Sequence, residues 1–243
     1  LRVKLIDFGM SKLTNKKICD LMRAAIKKMG APEDLVIGIE TPSLETTNEL
    51  MRQCDLVLAT GGGAMVNAAY SSGTPALGVG VGNAVITVDD TADLDAAAEK
   101  IRISKTLDLA ASCSSDNSVV LLDGIYDAML DKLRAEGGYV CNVEEKTALR
   151  NTLWDDELHI NTAMVAQPPE KIAQMAGLTI PEGVQFFIVL EDGYGPEHPF
   201  SGEKLSVIMA LYRARDIDHA IELTRHIQAY QGQGHSCGIY SNN

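Results

Sequence analysis

Short apolar runs recur along the chain between stretches in which apolar residues follow helical spacing. Residues 55–59 read D-L-V-L-A, and residues 119–122 read V-V-L-L, without alternation of polar and apolar positions. Strands buried on both faces show such runs, and they occur in parallel sheets covered by helices. Because strands and helices alternate at short intervals, we expect right-handed βαβ crossovers. The sequence therefore predicts an α/β fold with a mostly parallel, doubly wound sheet.

The predicted elements continue this alternation to the end of the chain. Strands are expected at 1–8, 35–39, 55–59, 75–79, 85–88, 119–122, 161–165, 184–190, 205–212 and 237–240. Helices are expected at 16–29, 44–51, 64–70, 91–109, 124–135, 142–153, 169–176 and 217–230. A second α/β unit begins near Cys113, so the predicted domains are residues 1–110 and 111–243. Ligand clefts commonly form where two such units meet.

Charge and cysteine content exclude several classes of function. With 21 basic and 33 acidic residues the net charge is −12, which argues against nucleic acid or an anionic membrane as partner. Five cysteines are odd in number and show no C-x-x-C or paired Cys/His spacing, so neither a disulfide framework nor a metal site is predicted. A reducing, cytoplasmic location fits best. The longest apolar runs fall far short of a membrane span, and no signal peptide is visible.

The sequence around one cysteine is compatible with a nucleophilic role. Cys113 follows a predicted helix, precedes a predicted strand and is flanked by serines in the segment A-S-C-S-S. Small neighbours leave room for a carbonyl carbon to reach the sulfur. An isolated cysteine is also often a small buried hydrophobe, so both interpretations stay open on this evidence alone.

Two glycine-rich turns follow predicted strands. T-G-G-G-A-M at 60–65 leads into a helix, whose N-terminus offers free N–H groups to a phosphate or a nicotinamide cofactor. The alternative is a tight turn that needs positive φ. G-V-G-V-G-N at 78–83 favours close approach of the backbone to a ligand, and its alternative is a strand bulge.

The charged loop E-H-P-F-S-G-E-K-L-S at 197–206 supplies a candidate carboxylate, Glu203. A carboxylate there could accept hydrogen bonds from ribose hydroxyls, whereas the alternative is a merely solvated loop. The five histidines show no metal-binding spacing. His235 is notable only as a neighbour of the small-residue segment G-H-S-C-G.

In combination these motifs identify a family. The order of T-G-G-G-A-M-V-N-A-A-Y, S-K-T-L-D-L-A-A-S-C-S-S-D-N-S and E-K-L-S closely resembles the CoA-acylating branch of the aldehyde dehydrogenase superfamily, from about Lys12 to the C-terminus. The resemblance implies a truncated chain: a partial NAD(P)-binding domain at 1–110 and a partial catalytic domain at 111–243. It also implies a homo-oligomer for the full-length form. Residues 1–10 do not match the family pattern.

The resemblance also implies roles for particular residues. Cys113 would be the nucleophile that forms a thiohemiacetal and then a thioester, with its own backbone N–H as an oxyanion donor. NAD or NADP would take the hydride and coenzyme A would take the acyl group. Thr60, Gly61, Gly62, Gly63 and Gly80 would approach the cofactor, and Glu203 would bind its nicotinamide ribose.

An absent residue points to the acyl acceptor. Hydrolytic members of the superfamily carry a glutamate in the motif E-L-G-G-K, whereas Gly78-Val79-Gly80 offers no carboxylate at that place. Without a base for water, a thiol acceptor is expected. The substrate expected is a two-carbon aldehyde, acetaldehyde or sulfoacetaldehyde. Two alternatives remain: a non-catalytic fragment or paralogue that binds nucleotide or a partner subunit, and an acyl-phosphate reductase.

Overall fold

The structure, a computed structural model, describes residues 3–5, 12–39, 41 and 43–243. The chain packs into two compact units, Leu1–Gly80 and Val81–Asn243. In the part of the chain described, no helix has both the length and the apolar character that a membrane span requires.

Within its described residues, the first unit contains two pairs of parallel strands and three α-helices. β1 (Val3–Leu5) pairs with β2 (Val36–Gly38), and β3 (Val57–Thr60) pairs with β4 (Ala76–Val79). The helices are α1 (Lys12–Lys28), α2 (Leu44–Gln53) and α3 (Gly63–Tyr70). A small buried cluster holds β3 to its helices: Met51, Val57, Ala59 and Ala69.

The second unit is built on a six-stranded sheet in which every neighbouring pair of strands is parallel. The strands are β5 (Ala84–Val88), β6 (Asp116–Leu122), β7 (Gly138–Val140), β8 (Phe186–Leu190), β9 (Ile208–Ala214) and β10 (Cys237–Tyr240). Their order across the sheet is β10-β5-β6-β9-β8-β7. All seven residues of β6 are buried, as a strand covered on both faces requires. The predicted parallel α/β fold is therefore confirmed.

Five α-helices accompany this sheet. They are α4 (Leu94–Thr106), α5 (Tyr126–Ala135), α6 (Val143–Leu153), α7 (Pro169–Ala176) and α8 (Ile217–Tyr230). Each begins or ends with a recognisable signal: Asp216 accepts a hydrogen bond from the His219 backbone N–H at the start of α8, and Gly177 closes α7 in the left-handed conformation.

Among the described residues, one predicted strand is absent from the structure, and one observed strand was not predicted. The strand expected at 161–165 is a 3-10 turn at Thr162–Met164, because the Asn161 side chain accepts a hydrogen bond from the Ala163 backbone N–H and starts a turn. The short strand β7 was not predicted, since three residues beside Gly137 give no periodic signal.

The compact units divide earlier in the chain than the predicted domains, 1–110 and 111–243. The reason is the pairing of β5, which lies between β6 and β10 and so joins the second unit together with α4. The predicted division concerns which segments serve the cofactor and which serve catalysis, and it stays a prediction.

Candidate active site

Four segments of the second unit meet at the amino-terminal edge of its sheet. Because β10, β5, β6 and β9 are parallel neighbours, the residues just before each strand lie side by side. These residues are His235, Gly82, Cys113 and Glu203. Ligands in open parallel sheets usually bind at the carboxyl edge, so this placement could not be expected from the fold class alone.

Cys113 lies in a turn between α4 and β6, the helix-to-strand junction that the sequence predicts. The turn is closed by a hydrogen bond of 3.1 Å from the Ser115 backbone N–H to the Ser112 carbonyl oxygen. Cys113 is partly exposed, and the serines at 112 and 114 beside it are exposed or nearly so. The thiol is therefore reachable from solvent, unlike that of a core cysteine.

Three consecutive residues with a left-handed backbone conformation precede the turn that carries Cys113. Asp108, Leu109 and Ala110 have φ values of 48°, 54° and 58°. Residues other than glycine adopt this conformation at a cost of about 1 kcal/mol each. The segment breaks the helix predicted to run to residue 109 and redirects the chain toward β6.

This strain gives a stability prediction at an exposed position. Asp108→Gly should raise the free energy of unfolding by roughly 0.5–1 kcal/mol, because glycine adopts positive φ without steric cost. Asp108→Ala should lower the same quantity, since alanine lacks the polar side chain that makes aspartate tolerant there. Urea denaturation of the two variants beside wild type measures the difference; a Gly variant no more stable than the Ala variant would refute the assignment.

His235 is the nearest titratable side chain to the cysteine among those with a described contact. Its Nε2 lies 3.3 Å from Cys113 Sγ, and its Nδ1 lies 2.9 Å from Ser236 Oγ. In the tautomer with the proton on Nδ1, that nitrogen donates to Ser236 and Nε2 is free to accept the thiol proton. The sequence alone does not reveal this role, because residues 113 and 235 are brought together only by the pairing of β10 with β5 beside β6.

Gly82 fills the gap between the cysteine and the glutamate. A Cβ added there would lie 2.7 Å from Cys113 Cβ and 2.8 Å from Glu203 Oε1, so only glycine fits. The Gly82 backbone N–H donates a hydrogen bond of 2.9 Å to Glu203 Oε1. Sequence analysis selected Gly80 in this segment, yet a Cβ added at Gly80 would meet nothing within 4 Å.

The Glu203 carboxylate is held in a partly desolvated position. Its burial raises the pKa of the Glu203 carboxyl, while the hydrogen bond from Gly82 and the charge of Lys204 act in the opposite direction. The Glu203 backbone N–H donates to Gln231 Oε1 at 2.9 Å. The alternative of a merely solvated loop is thus wrong for Glu203, which is anchored through both its backbone and its side chain.

The first unit carries the other predicted cofactor residues, Thr60 to Gly63. Thr60 ends β3, and α3 begins at Gly63 with Gly62 as its N-terminal cap at φ −65°. None of the three glycines has positive φ, so the alternative of a turn that demands left-handed glycine is wrong. A Cβ added at Gly62 or Gly63 would meet nothing within 4 Å, and the space over the helix N-terminus is open to a ligand.

A grouping of potential metal ligands in the described part of the chain has another explanation. Glu191, Asp192 and His198 bring their ligand atoms within 4.8 Å of one another. Lys146 Nζ lies 2.9 Å from Glu191 Oε1, and His198 Nδ1 lies 3.0 Å from Glu191 Oε2. The buried carboxylate is therefore already paired with a cation. That the protein has no metal site stays a prediction.

Two ionisable residues are buried on either side of the cysteine-bearing turn in the sequence. Lys105 is 1% exposed and Asp116 is 6% exposed. Desolvation lowers the pKa of Lys105 to about 7 and raises that of Asp116 to about 6, in each case against the attraction of the partner. Folding therefore shifts both groups toward their neutral forms.

These shifts predict a particular pH dependence of stability. Between pH 7 and 10 the unfolded chain keeps the Lys105 proton that the folded chain has released, so the free energy of unfolding rises with pH, by at most about 1.4 kcal/mol per unit. Between about pH 4 and 6 the folded chain keeps the Asp116 proton, so stability falls as pH rises. Urea denaturation should show both slopes diminished in Lys105→Met/Asp116→Asn. Identical slopes in the wild type and the double variant would contradict the burial of these charges.

Comparison with known proteins shows the family to which the chain belongs. The profile of the aldehyde dehydrogenase family matches residues 11–144. The acylating sulfoacetaldehyde dehydrogenase of Cupriavidus necator is 44% identical, over 93% of this chain and 46% of its own. The bifunctional aldehyde-alcohol dehydrogenase of Escherichia coli is 41% identical, over 94% of this chain and 26% of its own.

A solved structure gives the same result. An acetylating aldehyde dehydrogenase from Geobacillus thermoglucosidasius superposes with a TM-score of 0.90 at 36% identity, over 93% of this chain and 50% of that one. The chain thus spans half or less of the length of these relatives, and the resemblance to the acylating branch is confirmed. On the strength of the profile match, the chain belongs to the aldehyde dehydrogenase family.

Proposed function

We propose that this chain carries the nucleophilic part of a CoA-acylating aldehyde dehydrogenase, which converts a small aldehyde, CoA and NAD(P)⁺ into acyl-CoA and NAD(P)H. The observation that carries the proposal is the contact of 3.3 Å between Cys113 Sγ and His235 Nε2. A partly exposed thiol with an adjacent proton acceptor is the arrangement that covalent catalysis by cysteine requires.

Each step follows from the side chains at the site. Cys113 Sγ bonds to the aldehyde carbon while the thiol proton passes to His235 Nε2, so the thiohemiacetal forms as its oxyanion. The carbonyl re-forms as hydride leaves that carbon, which gives a thioester on Cys113, and the proton on His235 passes to solvent. The sulfur of CoA then attacks the thioester, the bond to Cys113 Sγ breaks, the CoA thiol proton passes to Cys113, and acyl-CoA leaves. In this scheme the Cys113 backbone N–H stabilises the developing oxyanion.

NAD(P)⁺ supplies the hydride acceptor when it is bound. We assign residues 60–63 and Gly80 as backbone that lies close to the bound cofactor. The open space at Gly62 and Gly63 supports this assignment. Glu203 accepts hydrogen bonds from the ribose hydroxyls in this proposal. The Gly82 backbone N–H fixes the Glu203 carboxylate by a hydrogen bond, and Gly82 also packs against Cys113. The same residue therefore positions both the group that binds the ribose and the nucleophile.

CoA is favoured over water as the acyl acceptor. Residues 78–83 contain no carboxylate that could activate water. A propionaldehyde dehydrogenase from Rhodopseudomonas palustris, 26% identical with a TM-score of 0.82, has been solved with CoA and an acylated cysteine. We keep acetaldehyde and sulfoacetaldehyde as the candidate substrates, in line with the relatives that act on sulfoacetaldehyde.

The test is the appearance of NADH or NADPH absorbance with each aldehyde, with and without CoA. The proposal expects reduction that depends on CoA. Reduction that depends on inorganic phosphate instead would indicate an acyl-phosphate reductase. A chain that neither turns over nor takes an acyl group on Cys113 would indicate the non-catalytic alternative.

The role of His235 has a separate test that needs no cofactor. We expect His235→Ala to slow alkylation of Cys113 by iodoacetamide at pH 7 by roughly 10- to 100-fold, because the thiol loses its proton acceptor. His159→Ala, which removes an exposed histidine on another element, is the matched control. Mass spectrometry of the alkylated Cys113 peptide gives the rate; equal rates in His235→Ala and wild type would rule out the assignment.

A further inference from the structure

The backbone that leads into Glu203 is held from inside the unit by three buried side chains. The carbonyl oxygens of residues 200, 201 and 202 each accept a hydrogen bond from a side chain of the core. The bonds run from Lys204 Nζ to Phe200 O (2.5 Å) and Gly202 O (2.9 Å), from Asn83 Nδ2 to Ser201 O (2.7 Å), and from Asn117 Nδ2 to Gly202 O (2.7 Å). We call Asn83, Asn117 and Lys204 the carbonyl clamp.

Each side-chain nitrogen of the clamp has at least two acceptors, and the clamp is almost free of solvent contact. Asn83 and Lys204 are 0% exposed, and Asn117 is 4% exposed. Asn117 Nδ2 also donates to Asn83 Oδ1 at 2.6 Å, and Asn83 Nδ2 also donates to Gln231 O at 3.1 Å. Buried amides are costly when they lack partners, so this network favours a single arrangement of the loop.

The two asparagines connect the loop to the segments that flank the cysteine. Asn83 directly follows Gly82, whose backbone N–H binds Glu203 Oε1. Asn117 lies in β6, the strand that begins just after Cys113. A shift of the loop would therefore break bonds from Asn83, the neighbour of Gly82, and from Asn117, which lies in the strand that follows Cys113.

We propose that the carbonyl clamp is a positioning device that fixes the Glu203 carboxylate relative to Cys113 and so sets the affinity for the nicotinamide ribose. None of its three residues is assigned a contact with substrate or cofactor; they act through Glu203. The ribose contact rests on the proposed function, whereas the immobilisation of Glu203 does not.

The main variant is Asn117→Leu, which keeps the forked shape of the side chain at a larger volume and removes both N–H donors. We expect KM for NAD(P)⁺ to rise roughly tenfold, since a small displacement of a binding group is costly. Acylation of Cys113 by acetyl-CoA, which needs no Glu203, should stay within about twofold of wild type. Asn151→Leu, at an exposed asparagine on α6, is the matched control.

A second readout separates the two proposals. The pKa of the Glu203 carboxyl, followed by carbon NMR, should fall in Asn117→Leu as the loosened side chain gains water. An unchanged Glu203 pKa and an unchanged KM would overturn the clamp. A wild type without NAD(P)⁺ turnover, combined with the fall in pKa, would remove the proposed function and leave the clamp intact.

If Asn117→Leu does not fold, Asn83→Ser provides the same comparison of KM and Glu203 pKa through the other asparagine.

Hydrogen exchange in the wild type adds a check that needs no variant. The clamp predicts that the Gly82 and Glu203 backbone N–H groups exchange slowly, because both are bonded within a fixed loop. Exchange at the rate of an open loop at both positions would refute it.

Discussion

The rate of aldehyde oxidation is expected to fall by at least about 10⁴-fold in Cys113→Ala, because no other group in the proposed mechanism can carry the acyl chain. The fold should survive, since Cys113 is partly exposed and lies in a turn rather than in the core. Activity is followed as NAD(P)H formation in the presence of CoA, and folding as the thermal midpoint.

Cys237→Ala is the control for this loss. Cys237 is an exposed thiol on β10, so its removal tests whether reaction at any accessible cysteine suffices. We expect Cys237→Ala to keep activity within about twofold, because Cys237 is exposed and has no role in the proposed reaction, although it lies two residues from His235. Comparable losses in the two variants, or none in Cys113→Ala, would contradict the assignment of the nucleophile.

Gly82→Ala is expected to lower activity by about 100-fold although it adds only one methyl group. That methyl would lie 2.7 Å from both the Cβ and the carbonyl oxygen of Cys113, and 2.8 Å from Glu203 Oε1. Real carbon atoms do not approach so closely, so either the cysteine turn or the glutamate must move. Both KM for NAD(P)⁺ and the alkylation rate of Cys113 should change.

Gly124→Ala is the matched control, because a Cβ added at Gly124 would meet nothing within 4 Å. It should leave activity and the alkylation rate of Cys113 within about twofold of wild type, as expected for a surface change. If Gly82→Ala were as active as Gly124→Ala, the close packing described between Gly82, Cys113 and Glu203 would be wrong.

The fold was predictable because its signals are local. The unbroken apolar run in β6 indicates burial on both faces, and α7 and α8 begin and end where the periodicity predicts. The position of Cys113 between a helix and a strand follows from the same local signals. Three residues of β7 and the turn at 162–164 lack such signals, and these elements were missed or misassigned.

The site was predictable only in part, because its geometry depends on strand order. Cys113 and Glu203 carry sequence motifs of their own, whereas His235 reaches the thiol only because β10 adds to the sheet beside β5. In the segment G-V-G-V-G-N the sequence pattern gives no reason to prefer Gly82 over Gly80 as a site residue. The structure distinguishes them, because only Gly82 packs against Cys113 and Glu203. The roles of Asn83 and Asn117 arise from contacts between residues far apart in the chain and left no sequence signal.

The most direct measurement of the central claim is mass spectrometry of the protein after incubation with acetyl-CoA. Thiol exchange with Cys113 forms the enzyme thioester and releases CoA, so the step needs neither NAD(P)⁺ nor the ribose contact of Glu203. We expect one acetyl group on the Cys113 peptide, absent in Cys113→Ala and slower to form in His235→Ala. An acetyl group distributed over other cysteines, or no adduct on Cys113, would contradict it.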